Sequence, residues 1–112
     1  MTEEIMATLL EMLIASDEII LDYMDEEDKA KKLEDLRQYI LASIELIEDE
    51  GVTINYESQA HLRVITMYAM WLYDKRKTTG SKYTSYYIQN MPRMLRWNLN
   101  NILFRQKASE TA

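Results

Sequence analysis

The sequence contains no cysteine, and it has only two glycines and one proline among its 112 residues. Without cysteine the chain can form neither a disulfide nor a thiolate metal site, and its composition suits a reducing compartment. Glycine and proline are the residues that most often interrupt helices, so their scarcity favours long helices and few tight turns. The sequence therefore predicts an all-α protein.

Patterns that indicate catalysis or metal binding are also missing. The one histidine, His61, falls on the apolar face of a predicted helix, where we expect a structural role rather than a general base. The nearest carboxylate at helical spacing is that of Glu57, and there is no Glu-x-x-His pair of the di-iron bundle type. Glycine-rich phosphate loops and the G-x-S-x-G turn do not occur. We expect no enzyme activity, no metal and no other cofactor.

Long hydrophobic runs are absent as well. The longest is VITMYAMWLY at residues 64–73, about half the ~20 residues that a membrane span needs. The segment MTEEIMATLL at the beginning is acidic, unlike a secretory signal. Hydrophobic residues make up 47% of the chain and charged residues 29%, as in a folded domain rather than a disordered chain. The sequence predicts one soluble domain with no membrane partner.

What the sequence does have is a strong separation of charge along the chain. Residues 1–50 carry 16 acidic and 4 basic side chains, a balance of −12, whereas residues 51–112 carry 3 acidic and 9 basic, a balance of +6. Three arrangements fit this polarity: the halves fold against each other, copies stack head-to-tail, or the basic end meets a polyanion. The sequence leaves these alternatives open.

The spacing of apolar residues predicts a small bundle of about four helices with a long loop between the last two. A capping pattern at Ser16 allows a break in the first helix, Gly51 is the expected stop of the second, and Pro92 opens the fourth. The predicted helices span residues 2–23, 28–50, 57–76 and 91–107. We expect the core to be drawn from Leu36, Ile40, Ile44, Ile65, Leu72, Leu95, Leu99 and Ile102.

The third predicted helix is apolar on almost all sides between Val64 and Tyr73, with Met67 and Met70 opposite its main face. A helix that is apolar on both sides has to be covered on both sides. The second cover comes either from the same chain or from another copy.

The fourth predicted helix carries an aromatic and basic face opposite its core stripe. Its members are Arg93, Arg96, Trp97, Phe104 and Lys107. Tryptophan, phenylalanine and arginine are common anchors of protein contacts, so this face predicts a subunit or partner interface. The alternative is that both aromatic rings reach round to the helix's own core while the cations are solvated.

The connection between the last two predicted helices, residues 77–90, is longer than the roughly two to eight residues usual between helices. Its segment KYTSYYI, residues 82–88, has high β-propensity and suits strand addition to a partner. We expect the loop to be mobile in the free subunit and ordered against a neighbour. The candidate contact residues here are Lys75, Arg76, Lys77, Lys82, Tyr83, Tyr86 and Tyr87.

Three segments carry a family resemblance: LASIELIEDEG, the helix end LYDKR, and the proline-started MPRMLRWNLNNIL. In this order they resemble the small head–tail connector, or adaptor, proteins of tailed bacteriophages, a group also labelled DNA-packaging proteins. The resemblance covers about residues 20–105. The long apolar segment Ile5–Met24 departs from the shorter members of the family, and the resemblance does not place it.

The helix pattern and the resemblance together predict a single connector domain over residues 1–107, with an N-terminal helical segment 1–24, a family-like core 28–107 and a disordered tail 108–112. The resemblance implies a virion structural protein at the head–tail junction, present in the host cytoplasm during assembly. About a dozen copies would form a ring below the portal protein, extend the channel through which DNA passes without sequence preference, and dock a tail-completion protein. The loop would face the channel or the adjoining ring.

A function of a different class is the alternative: a small helical nucleic-acid-binding module or regulator with residues 74–93 as its contact arm. Its aromatic side chains among lysines suit stacking on bases. Nucleic-acid-binding domains are typically basic, however, and the sequence pI near 4.8 argues against a tight, specific DNA binder.

Overall fold

The computed structural model describes residues 1–16, 19, 21–78 and 91–111, which form four helices and, within these ranges, no strand. The helices are α1 (Glu3–Ser16), α2 (Glu26–Asp49), α3 (Gln59–Thr78) and α4 (Arg93–Thr111). The prediction of a small all-α bundle is confirmed. None of the described helices is both long enough and apolar enough to cross a bilayer.

Helix α1 is shorter than its predicted span of residues 2–23. It begins as expected, since the Thr2 hydroxyl accepts the backbone N–H of Ile5 at 3.2 Å. It ends at Ser16, so the longer span is wrong and the break indicated by the capping pattern is confirmed. Ser16, Asp17 and Glu18 interrupt the apolar pattern at this point of the sequence, and side chains of these types favour helix ends over helix interiors.

Helix α2 begins two residues earlier than predicted because Asp25 caps it. The Asp25 carboxylate accepts the backbone N–H of Asp28 at 2.8 Å. The acidic residues of the first turn also stabilise the helix, because they lie at the positive end of its dipole. The helix stops at Gly51 as predicted. Gly51 has φ of 102°, a left-handed conformation that side chains other than glycine rarely adopt.

Helix α3 lies at the centre of the bundle and packs against each of the other three described helices. Helices of the same subunit therefore cover most of the apolar surface of α3. For most of this surface no second copy is needed as a cover. Seven of the eight predicted core residues are buried, and Leu72 is partly buried against them. The predicted core is confirmed apart from that position.

Helix α1 packs on α3 and α2, which places the N-terminal segment that the sequence pattern left unplaced. Its buried side chains Met6, Leu9 and Leu13 are at most 3% exposed. They join one continuous apolar cluster with α2, α3 and α4. Helix α1 is therefore part of the core and not an appendage.

One serine and one threonine side chain are buried among the described core residues. The Ser43 hydroxyl donates to the carbonyl of Tyr39 at 2.7 Å, and the Thr66 hydroxyl donates to the carbonyl of Leu62 at 2.9 Å. Each bond joins residues four apart in one helix, so each buried polar group is satisfied by its own backbone.

Helix α4 follows Pro92, whose carbonyl accepts the Arg96 N–H at 3.0 Å. It continues through Thr111, four residues beyond the end at residue 107 that the sequence predicted. The segment after Lys107 contains neither glycine nor proline, and nothing in it opposes the helical conformation strongly.

Candidate protein-contact surface

The side of α4 that faces away from α3 carries large apolar side chains in solvent. Trp97 is 60% exposed, Phe104 is 73% exposed and Met94 is 63% exposed. Neither aromatic ring turns back into the core of the bundle, so the alternative of a structural role for both rings is wrong. A stripe with alternating spacings of four and three residues runs along this side, and all its members are exposed. We define the α4 seam as Arg93, Trp97, Asn100, Phe104 and Lys107.

Arg96, which the sequence placed on the same face, pairs within the subunit, and its role at an interface stays a prediction. Its Nη1 lies 2.5 Å from Oε1 of Glu50, and its Nη2 lies 3.3 Å from Oε2. The hydrogen bond with Glu50 is the main cause that raises the pKa of Arg96. One residue before Trp97, Arg96 is turned by about 100° around the helix, toward the end of α2. It fastens α4 to α2 within the subunit.

The Arg96–Glu50 pair also bears on the polarity of the chain. It joins the basic second half to the acidic first half, so complementarity between the halves operates inside the subunit at this point. The two side chains remain 43% and 29% exposed. A half-exposed pair of this kind contributes modestly to stability, on the order of 1 kcal/mol or less.

Helix α2 presents a second exposed stripe that the sequence analysis did not single out. Its members are exposed and follow the same spacing of four, three, four and three residues. At its centre Leu41 is 40% exposed, and the Gln38 amide donates to Glu34 at 2.9 Å. The sequence signal that could have identified this stripe is a single leucine, Leu41, among acidic residues on that spacing. We define the α2 seam as Glu34, Gln38, Leu41, Glu45 and Glu48.

A shallow apolar cavity of about 150 Å³ lies between α3 and the start of α4. Met67, Met70 and Trp71 line it from α3, and Pro92 and Leu95 line it from the other side. The second apolar side of α3 is thus only partly covered by α4. The cavity is too small to hold a ligand of ordinary size, which typically needs roughly 300 Å³ or more.

A larger and polar cleft of about 510 Å³ lies between the α2–α3 connection and the C-terminal half of α4. Gln106 lines this cleft. Its side-chain amide accepts the N–H of Thr53 at 2.6 Å and donates to the carbonyl of Gly51 at 2.8 Å. No group of three potential metal ligands occurs among the described residues. The contacts around the cleft hold the connection in place.

His61 lies at the edge of that cleft and holds the same connection. Its Nδ1 accepts the backbone N–H of Asn55 at 3.1 Å. Burial lowers the pKa of His61, because a partly desolvated imidazole resists taking up a positive charge. Both the accepted hydrogen bond and the lowered pKa favour the neutral imidazole ring.

We expect protonation of His61 to oppose folding. The folded-state pKa lies below the unfolded value, so the unfolded chain binds more protons near that value, and stability falls as the pH drops through the folded-state pKa. A titration of the imidazole followed by NMR should give a lower midpoint in the native protein than in the urea-unfolded chain. The control variant His61→Gln should show a weaker loss of stability between about pH 7.5 and pH 5.5, roughly one unit on either side of the usual imidazole pKa. A native midpoint at or above the unfolded one would contradict the expectation.

The residues predicted for the long loop are only partly within the described ranges. Lys75, Arg76 and Lys77 belong to the last turns of α3, so Lys77 is helical rather than the first residue of the loop. Lys82, Tyr83, Tyr86 and Tyr87 lie outside the described residues. The expectation that this loop is ordered by a partner stays a prediction.

The structure thus brings together one basic aromatic stripe on α4 and reveals one acidic stripe on α2. Each is a chain of exposed side chains on a rigid helix that is held by the common core. Such stripes suit contact with another macromolecule rather than chemistry on a small molecule. Comparison with protein-family models, with curated proteins and with solved structures finds no match to this chain.

Proposed function

We propose that this protein is a structural assembly subunit of the kind that forms head–tail connectors in tailed phages. In this role, copies associate into a ring below a portal protein, and the α4 seam supplies a contact surface. The observation that carries the proposal is the exposure of Trp97 and Phe104 on one side of α4, at 60% and 73%. Large apolar side chains grouped in this way mark sites of protein contact.

The size of the apolar surface supports a contact role. Aromatic side chains bury about 150–250 Å² each when fully covered. Covering the exposed parts of Trp97 and Phe104 therefore removes roughly 200–300 Å² from water, a gross gain of about 5–8 kcal/mol. Part of that gain is offset by the rotational and translational freedom that is lost on association. A single contact of this kind is therefore weak, and a ring, in which every copy makes two contacts, suits it.

The polarity of the chain supports a ring rather than a symmetric dimer. Contacts between two different surfaces produce rings when the rotation closes. The two halves of the chain have opposite charge, and one basic and one acidic stripe are exposed on different helices. These features, together with the order of segments that resembles the connector family, favour a subunit that meets its neighbours through unlike faces.

The double variant Trp97→Ser/Phe104→Ser tests this proposal. We expect the unchanged protein to self-associate with rising concentration, measured by light scattering after size exclusion, and to give rings in negative-stain electron microscopy. The variant should remain monomeric with an unchanged far-UV circular dichroism spectrum. The matched control is Tyr23→Ser, because Tyr23 is 93% exposed but lies outside α4.

Two results would oppose the proposal. One is an unchanged protein that stays monomeric at high micromolar concentration and does not bind a ring-forming portal. The other is tight binding of free duplex DNA that weakens steeply with salt, which is the signature of direct phosphate contacts. The second result would support the nucleic-acid-binding alternative, in which residues 74–93 are the contact arm.

A further inference from the structure

The two seams match each other in spacing, length and charge. Along α4 the seam runs from Arg93 to Lys107, and along α2 it runs from Glu34 to Glu48. Each covers fourteen residue steps, about 21 Å of helix, with spacings of four, three, four and three. This alternation is the pattern by which two helices pack lengthwise, each residue inserting between residues of the partner.

The two ends of each seam are charged, and the end charges of the two seams have opposite sign. The α4 seam has a cation at each end, the rings of Trp97 and Phe104 at intermediate positions and Asn100 at its centre. The α2 seam has Glu34 and Glu48 at its ends, Gln38 and Glu45 at intermediate positions and Leu41 at its centre. Both parallel and antiparallel alignments therefore put a carboxylate opposite each cation. Leu41 lies in the middle in either alignment.

The charges at two of these positions are unfavourable for the helices that carry them. The last turn of α2 is acidic and contains no basic residue, although the negative end of the helix dipole favours cations there. The first turn of α4 begins with Arg93 and contains no acidic residue, although that end favours anions. A neighbouring copy that brings opposite charges to these helix ends would offset the unfavourable placement.

Both seams are accessible at the same time. Helices α2 and α4 pack separately on α3, and all ten seam residues are exposed. One subunit can therefore offer its α4 seam to one neighbour and its α2 seam to another.

We propose that the α4 seam of one copy packs lengthwise against the α2 seam of the next copy, with Arg93 and Lys107 paired to Glu34 and Glu48. This inference rests on the proposed assembly function and specifies the acceptor surface. The occupant of each seam is a second copy of this chain, selected by complementary charge. A contact of four helical turns is small, and closing a ring, in which each copy makes two contacts, stabilises it.

Charge reversal on either side tests the inference. Variant one is Arg93→Glu/Lys107→Glu and variant two is Glu34→Lys/Glu48→Lys. Each variant alone should be monomeric, with a dissociation constant for self-association raised more than tenfold, because like charges then face each other. An equimolar mixture should associate again, since each reversed seam then meets an oppositely charged one. Sedimentation velocity at low salt measures all three samples.

The outcomes separate this inference from the proposed function. If variant two associates like the unchanged protein while variant one does not, the α4 seam mediates assembly but its acceptor is not the α2 seam. If the unchanged protein never associates, the proposed function itself fails. Should a reversed variant not fold, the neutral variants Arg93→Gln/Lys107→Gln and Glu34→Gln/Glu48→Gln replace it. These should weaken association and reduce its salt dependence, and unaltered association in both would overturn the inference.

Discussion

Replacement of Leu13 by alanine is expected to lower the free energy of unfolding by about 3 kcal/mol. Leu13 is completely buried in α1, which packs on both α3 and α2. Removing three carbon atoms from such a site loses apolar burial and leaves a cavity that neighbouring backbones can fill only in part. Urea unfolding followed by circular dichroism measures the change, with the slope against urea expected to stay constant.

The matched control is Glu11→Ala, because Glu11 is exposed on the same helix. Its effect should remain within about 0.5 kcal/mol, as is usual for surface substitutions. The comparison decides whether the N-terminal segment belongs to the folded unit. Equal, small effects of the two substitutions would mean that α1 does not contribute to the core in solution.

Leu99→Ala in α4 should also cost about 3 kcal/mol, whereas Trp97→Ser, two residues earlier, should cost about 1 kcal/mol or less. Leu99 is 2% exposed and Trp97 is 60% exposed, so the larger residue is the less important one for stability. For a domain of this size the loss at Leu99 corresponds to a fall in melting temperature of very roughly 10–20 °C. Differential scanning calorimetry on dilute, monomeric samples measures both variants.

This pair of variants also examines the premise of the assembly proposals. If Trp97→Ser destabilised the monomer as much as Leu99→Ala, the indole would be a core side chain and the α4 seam would not be an available surface. A mild effect on the monomer together with lost association would assign the indole to contact between copies. Measuring folding and association separately is therefore necessary.

Some features of the fold follow from local chemistry and were predictable from the sequence. Gly51 ends α2 because its conformation suits glycine, and Pro92 precedes α4 because its carbonyl, not an N–H, is needed there. Apolar spacing also predicted the buried stripes of α2, α3 and α4. The end of α1 was less certain, because capping at Ser16 competed with an apolar pattern that resumes a few residues later.

Features that depend on how helices meet were not predictable from the sequence. Arg96 forms an ion pair with Glu50. This pairing depends on where α2 ends relative to the start of α4. Exposure of the α2 seam required knowledge of which side of α2 faces α3 and α1. The sequence analysis singled out Trp97 and Phe104 because aromatic residues opposite a core stripe are unusual on a helix surface, whereas the acidic residues of α2 are ordinary there.

The hydrogen bonds of Ser43 and Thr66 have a consequence for how this sequence can change over evolutionary time. Because each hydroxyl is satisfied by a carbonyl of its own helix, its replacement by an apolar residue of similar volume leaves no polar group on a neighbouring helix unsatisfied. The protein can then accept such replacements singly, without a compensating change elsewhere. We therefore expect relatives to vary at these two positions while conserving volume, and to diverge in the core through many independent steps.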